Sequence, residues 1–186
     1  MNCGFIARLG RAPFFTASAL LFCAALLPAF STRAVASRPL KLAVFDFELE
    51  DFSAGGALLP ESAADLEQLK RVTEEVRSLM RETGRYELAD VSGAASEEPV
   101  KGHWLRKCNG CEAMIAAKLG AEQSFAGTVT RISRTEYTVG FRIRDAKTGA
   151  ILFDGQTDLR MGASYSWSRG AAWLVKNRLL ASQEQR

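Results

Sequence analysis

Two of the four cysteines in this chain are separated by only two residues, in the segment Cys108-Asn109-Gly110-Cys111. Cysteines at this spacing can form a structural disulfide, act as a redox-active dithiol, or bind a soft metal ion. An oxidising compartment favours the structural disulfide, which is our main interpretation. The helix predicted to start at Glu112 would place its positive dipole end beside the sulfurs and so lower the pKa of a free thiol.

Two alternatives to the structural disulfide stay open. A redox-active pair could use Arg106 and Lys107 to stabilise a thiolate, although a polar loop precedes the motif where thioredoxin-like enzymes have a strand. A metal site could combine His103 with Cys108 and Cys111, three ligands that suit copper(I) or zinc. A fourth ligand is not evident, and the sequence predicts no cofactor.

Four acids lie at or just after the carboxyl end of the first predicted strand: Asp46, Glu48, Glu50 and Asp51. We expect Asp46 at the carboxyl end of that strand, where open α/β sheets place ligand sites, so it is a candidate partner-binding residue. Paired carboxylates could also hold a cation or transfer protons, but a solvated loop is the simpler interpretation. With His103 as the single histidine and no Gly-x-Ser-x-Gly motif, the sequence indicates no catalytic constellation.

Aromatic and basic residues surround the start of the last predicted helix. Trp167 and Trp173 are six positions apart, which places them about 120° apart around a helix. We therefore expect one in the core and the other near the surface. Tryptophan and arginine often anchor interfaces, so Trp167, Arg169 and Trp173 are candidate partner-binding residues. Alternatively, the tryptophans fix the helix to the sheet and Arg169 pairs with an acid such as Asp158.

Residues 1–36 have the layout of a secretory signal peptide. Arg8 and Arg11 precede a long uncharged apolar segment, and Ala34-Val35-Ala36 is a small-x-small cleavage site. Cleavage there predicts an exported, periplasmic protein whose residues 37–186 form a single domain. No other apolar stretch is long enough to span a bilayer, so we expect no transmembrane span in the mature chain.

Removal of the signal peptide also changes the charge of the protein. The full chain has 24 lysines and arginines against 21 acids, and the three arginines of residues 1–36 supply the whole excess. The mature chain is therefore neutral, so the basic pI of the full chain is no evidence for nucleic acid or anionic membranes as partners, and we expect no nucleic-acid partner.

Hydrophobic periodicity predicts the element order β-α-β-α-β-β-β-α. The apolar run from Leu40 to Phe47 predicts a buried strand, residues 48–60 a loop, and helical spacing after Pro60 a long helix. Alternation over Glu136–Arg144 predicts a strand with one solvated face. Further strands are expected at Tyr86–Val91, Phe125–Ser133 and Ile151–Leu159. Further helices are expected at Glu112–Leu119 and Tyr165–Leu180, and a loop over residues 92–104. The pattern favours a two- or three-layer α/β domain on a mixed sheet.

The carboxyl-terminal half carries a set of segments in a fixed order: Phe141-Arg142-Ile143-Arg144-Asp145, Thr148-Gly149, Asp158-Leu159-Arg160, Trp167-Ser168-Arg169-Gly170 and 174–179. With the Cys108/Cys111 segment, this order resembles an uncharacterised family of small predicted periplasmic bacterial proteins, a domain of unknown function. The first strand and Gly127-Thr128-Val129 are also similar to the amino-terminal domain of TolB and to curli-secretion-type lipoproteins. Those domains contact envelope partners and are not enzymes, so the resemblance implies a non-enzymatic role.

The sequence thus predicts a non-enzymatic periplasmic accessory or binding protein whose Cys108 and Cys111 form a structural disulfide. The expected partner is another envelope protein. The alternative is a periplasmic thiol-redox or copper-handling protein that uses the same two cysteines.

Overall fold

The computed structural model of the protein describes residues 38–54, 56, 61–133, 135–160 and 166–184. The predicted signal peptide, and the predicted helix starts at Pro60 and Tyr165, lie outside these ranges. The strands are β1 (Leu40–Val44), β2 (Glu48–Asp51), β3 (Tyr86–Leu88), β4 (Gln123–Arg131), β5 (Glu136–Asp145) and β6 (Ile151–Arg160). The helices are α1 (Ala63–Glu82), α2 (Glu98–Lys101), α3 (Cys111–Lys118), α4 (Ser166–Leu174) and α5 (Ala181–Glu184).

The six strands form one mixed sheet in the order β3-β1-β4-β5-β6, with β2 also paired to β4. β1 runs parallel to both β3 and β4, because helices connect these strands, whereas β4, β5 and β6 form an antiparallel meander. This arrangement confirms the predicted α/β class and mixed sheet. Within the described ranges, none of the helices combines the length and the apolar character needed to cross a bilayer.

Helices cover both faces of the sheet, so the domain has three layers. Side chains alternate along β1 and the residue after it: Leu42 and Val44 join a large core with α1 and α4, whereas Ala43 and Phe45 join a smaller core with α3. The side chain of Trp167 lies in the large core. The predicted last helix is present, and a π-helical turn over Val175–Leu180 connects α4 to α5.

The predicted loop over residues 48–60 is wrong at its beginning, because Glu48–Asp51 forms β2. β1 and β2 both pair with β4, and a bulge separates them: Phe45–Phe47 lie opposite only Ala126 and Gly127. A Cβ on Gly127 would come within 2.4 Å of the Phe47 ring, so glycine is required there. The predicted loop over 92–104 likewise contains a helical turn, α2.

Alternation along β5 is confirmed on its apolar side, where Tyr137, Val139, Phe141 and Ile143 are buried in the large core. The opposite face differs from the prediction at one position. Arg144 is only 8% exposed instead of solvated. A buried arginine needs an anionic partner, and that partner belongs to the cysteine motif.

Candidate functional site

A disulfide joins Cys108, which lies before α3, to Cys111, the first residue of α3. The two residues between them make the turn: Asn109 and Gly110 have φ angles of 45° and 112°. Such positive values are tolerated by asparagine and favoured by glycine. Cys108 is half-buried, and Cys111 is 9% exposed and packs in the smaller core. The disulfide thus closes a tight turn at the start of the helix.

A buried carboxylate lies directly behind this disulfide. Glu112 is 3% exposed, and its Oε1 accepts a hydrogen bond from Arg144 Nε at 2.8 Å. Its Oε2 accepts from the Gly110 amide at 3.1 Å and lies 3.7 Å from Cys108 Sγ. Arg144 also donates to the Gly149 carbonyl oxygen at 2.8 Å. The Glu112–Arg144 ion pair therefore fixes the cysteine turn to β5.

A second buried carboxylate holds the segment just before the cysteines. Glu48 is 2% exposed and accepts hydrogen bonds from the Leu105 amide at 2.7 Å and the Arg106 amide at 3.1 Å. The guanidinium of Arg106 donates to the same carboxylate at 2.8 Å. Three donors satisfy the buried charge, which makes its burial tolerable. We call residues 105–110, held by Glu48 at one end and Glu112 at the other, the disulfide loop.

The metal-ligand set differs from the one that the sequence indicated. One ligand atom each from Cys108, Cys111 and Glu112 lies within 4.8 Å of the others. His103 is exposed and is not part of this cluster, although its φ of 51° shows that it makes a tight turn. The structure thus brings Glu112, and not His103, to the two sulfurs. Only the reduced thiolates could serve as metal ligands, because the disulfide occupies both sulfurs.

The disulfide loop forms one wall of a polar groove of about 260 Å³ on the sheet. We call this the sheet groove. Its floor includes the hydroxyl groups of Thr128, Thr130 and Thr138 from β4 and β5. Arg142 and Asp154, whose side chains pair at 2.7 Å, line it as well. The sheet groove therefore offers donors and acceptors in place of an apolar surface.

Asp46 occupies the bulge between β1 and β2, and its exposed carboxylate accepts from Arg77 at 2.9 Å. Arg77 also donates to the Val44 carbonyl oxygen at 2.9 Å. One helical turn earlier, the hydroxyl of Thr73 accepts from the Phe47 amide at 3.0 Å. α1 thus satisfies the backbone groups that the bulge leaves unpaired.

Asp51 is part of a charged cluster at the end of β2. Arg131 donates to Asp51 at 2.7 Å, also contacts Asp65 and the Tyr137 hydroxyl, and lies over the Tyr137 ring. Burial alone would raise the pKa of Asp51, but hydrogen bonds from Ser53 and Arg131 outweigh it, and the pKa is lowered. The cluster connects β2, β4 and α1.

One tryptophan is buried and the other is exposed, as their spacing predicts. Trp167 is 1% exposed and packs 5.7 Å from the Tyr137 ring, whereas Trp173 is 47% exposed. Trp167 therefore does not lie on an exposed surface where a partner would bind. Arg169 is exposed and, among the described residues, has no ion-pair partner, so the expected pair with Asp158 is not formed. Trp173 and Arg169 remain candidate contacts.

The fold and site define a three-layer α/β domain that carries a disulfide loop next to a polar groove. The chain belongs to the family described as "Protein of unknown function (DUF2380)", whose profile matches residues 40–179. This result confirms the uncharacterised family that the ordered segments indicated. No curated protein matches the chain.

Among solved structures, the chain is similar to the LpoB C-terminal domain from Salmonella enterica, with 14% identity over 69% of this chain and 87% of that one, at a TM-score of 0.48. It is also similar to the lipoprotein GNA1162 from Neisseria meningitidis, with 15% identity over 80% of this chain and 98% of that one, at a TM-score of 0.47. TolB from Acinetobacter baumannii matches with 12% identity over 74% of this chain and 28% of that one, at a TM-score of 0.32. At this level the similarities add nothing to the assignment of function.

Proposed function

We propose that the protein is an exported, non-enzymatic accessory or binding protein of the periplasm, in which the Cys108–Cys111 disulfide is structural. One observation carries the proposal: buried carboxylates hold both ends of the disulfide loop, Glu48 at one end and Glu112 at the other. A segment fixed in this way is a preorganised wall for the sheet groove beside it. The signal-peptide layout of residues 1–36 supports the periplasmic location.

The surroundings of the sulfurs support a structural rather than a redox role. A reactive cysteine needs exposure and a positive environment that stabilises its thiolate. Cys111 is 9% exposed, and the charged group 3.7 Å from Cys108 Sγ is a carboxylate, which disfavours a thiolate. The nearby guanidinium of Arg144 is already paired with that carboxylate. These contacts stabilise the oxidised pair.

The chemistry of the sheet groove supports a polar partner. Its threonine hydroxyl groups, the Arg142–Asp154 pair and the side chain of Gln156 suit hydrogen bonds to a protein segment. We therefore propose that another envelope protein contacts this face, next to the disulfide loop.

Site-specific crosslinking in cells tests this contact. A photoreactive amino acid is placed at Thr138, on the groove floor, and at Lys70, an exposed control position on α1. The proposal expects a crosslinked envelope protein from position 138 and none from position 70. Equal crosslinking from both positions, or none from position 138, would contradict it. Amino-terminal sequencing of the periplasmic protein should begin at Ser37.

A second candidate function, copper handling by the reduced cysteines, is favoured by the proximity of Cys108, Cys111 and Glu112 within 4.8 Å. Two thiolates are suitable ligands for copper(I). The test is a titration of the reduced protein with copper(I) against a chromophoric chelator. Tight one-to-one binding that is lost in Cys108→Ser and Cys111→Ser variants would favour this function over a purely structural disulfide.

A further inference from the structure

A cavity of about 570 Å³ lies where β3 ends beside β1, apart from the disulfide loop and the sheet groove. The chain leaves these two neighbouring parallel strands toward opposite faces: after β1 and β2 it enters α1, and after β3 it continues to α3. β1 itself does not end here, because it continues through the bulge into β2, so the cavity lies beyond the end of β3 and beside that bulge. Its volume lies in the range of small-molecule sites, roughly 300–1,000 Å³.

The cavity combines an apolar floor with charged walls. Leu88 and Val100, both partly exposed, are among the apolar residues that line it, and Phe45, also in the lining, is almost fully buried. The charged lining consists of two arginines and three carboxylates: Arg77, Arg81, Asp46, Glu74 and Asp90. A ligand that complements this lining has an apolar body and carries groups of both signs, because a simple anion would meet three carboxylates.

The hydrogen bonds show which of these groups are free to bind. Both terminal nitrogens of Arg77 already donate hydrogen bonds, to Asp46, Glu74 and the Val44 carbonyl oxygen. Arg81, one helical turn further along α1, is exposed and makes no side-chain hydrogen bond or ion pair with the described residues. Asp46 is paired through one carboxylate oxygen, and its side chain is 70% exposed. Among the residues that the structure describes, Arg81 thus has a free guanidinium and Asp46 a free carboxylate oxygen.

Asp90 supplies a second carboxylate at the end of β3. It accepts from the Ser92 amide and hydroxyl group, both at 2.9 Å, which fixes its orientation. Asp46 lies in the bulge after β1 and Asp90 lies just after β3, and both residues line the same cavity. A cationic group would be attracted to both.

We propose that this cavity binds an apolar α-amino acid. Its carboxylate would pair with Arg81, its ammonium group would lie at Asp46 and Asp90, and its side chain would cover the apolar floor. This site is independent of the sheet groove and of the oxidation state of the cysteines. Its failure would therefore leave the proposed envelope role intact.

The first experiment measures the thermal unfolding of the mature protein with L-leucine, L-isoleucine, L-valine, L-methionine and L-phenylalanine. A ligand that binds only the folded state raises the melting temperature. We expect at least one of the five to do so and to saturate in calorimetry. If none of the five binds, the proposal is overturned.

Matched analogues and variants then test the assigned contacts, here with leucine as the example. 4-Methylpentanoate lacks the ammonium group of leucine and 3-methylbutylamine lacks its carboxylate. We expect each to bind at least about tenfold more weakly, and Arg81→Gln to lose about tenfold in leucine affinity. Lys70→Gln, exposed on the same helix and outside the cavity, should bind as the wild type does. Binding that is unchanged in Arg81→Gln, or equal for 4-methylpentanoate and leucine, would contradict the assignment.

Discussion

The carboxylate of Glu112 and the guanidinium of Arg144 meet at 2.8 Å, with side chains that are only 4% and 9% exposed. This pair joins the helix that follows the disulfide to the meander strand β5. Because Glu112 also accepts from the Gly110 amide, one carboxylate fixes both the strand and the cysteine turn. The disulfide loop therefore depends on a long-range contact as well as on its covalent link.

Substitution Glu112→Gln should destabilise the protein strongly. It leaves Arg144 buried without a counter-ion, and removal of one partner of a buried ion pair costs about 3–5 kcal/mol. Urea denaturation measures the free energy of unfolding. The matched control is Glu67→Gln, which removes one partner of the exposed Glu67–Arg71 pair on α1 and should cost less than about 1 kcal/mol. Similar losses in the two variants would show that the Glu112–Arg144 pair has no special role.

Substitution Gly127→Ala should destabilise the protein because the new methyl group collides with the Phe47 ring. Overpacking of this kind costs about 1–3 kcal/mol, measured by urea denaturation. The double variant Gly127→Ala/Phe47→Leu tests the cause. If the ring is responsible, the two losses are less than additive. Strict additivity would place the cause elsewhere.

The hydroxyl of Thr73 should be necessary at the bulge between β1 and β2. Thr73→Val keeps the shape of the side chain but leaves the buried Phe47 amide without an acceptor, which costs about 1–3 kcal/mol. Thr73→Ser retains the acceptor and serves as the control. Thermal and urea unfolding should show that the Thr73→Ser variant is clearly more stable than the Thr73→Val variant. The reverse order would contradict the contact.

A fall in pH should reduce the stabilisation that the Asp51–Arg131 cluster at the end of β2 gives the folded state. Since the pKa of Asp51 is lowered in the folded state, the stabilisation is present above the unfolded pKa of about 4. It is lost as the pH falls through the folded pKa. Asp51→Asn should therefore be less stable than the wild type at pH 7, and the difference should shrink below about pH 4. Melting temperatures over this range give the test, and a gap that widens in acid would contradict it.

The sequence predicted the elements whose signal is local. Alternation identified β5, and the spacing of Trp167 and Trp173 separated a core residue from an exposed one. The strand β2 was not predicted because Glu48 and Asp51, judged from the local sequence alone, are typical of a loop. The partners that make their burial possible, Arg106 and Arg131, lie far away in the chain.

Contacts between residues distant in the sequence also explain why the candidate site was only partly predicted. The Cys108/Cys111 pair was recognisable from its spacing, but nothing local to Glu112 indicates that its carboxylate lies behind the sulfurs. Its partner Arg144 stands in a pattern that favours a solvated strand face. Only the pairing of β5 with β4, and the packing of α3 on that face, brings the two charges together.

The reduction potential of the Cys108–Cys111 disulfide tests the central claim most directly. The mature protein is equilibrated with dithiothreitol redox buffers, and the oxidised fraction is counted by thiol alkylation and mass spectrometry. A structural disulfide predicts a potential below about −300 mV. A potential between about −270 and −120 mV, the range from thioredoxin to DsbA, would contradict a structural role and favour thiol-redox chemistry.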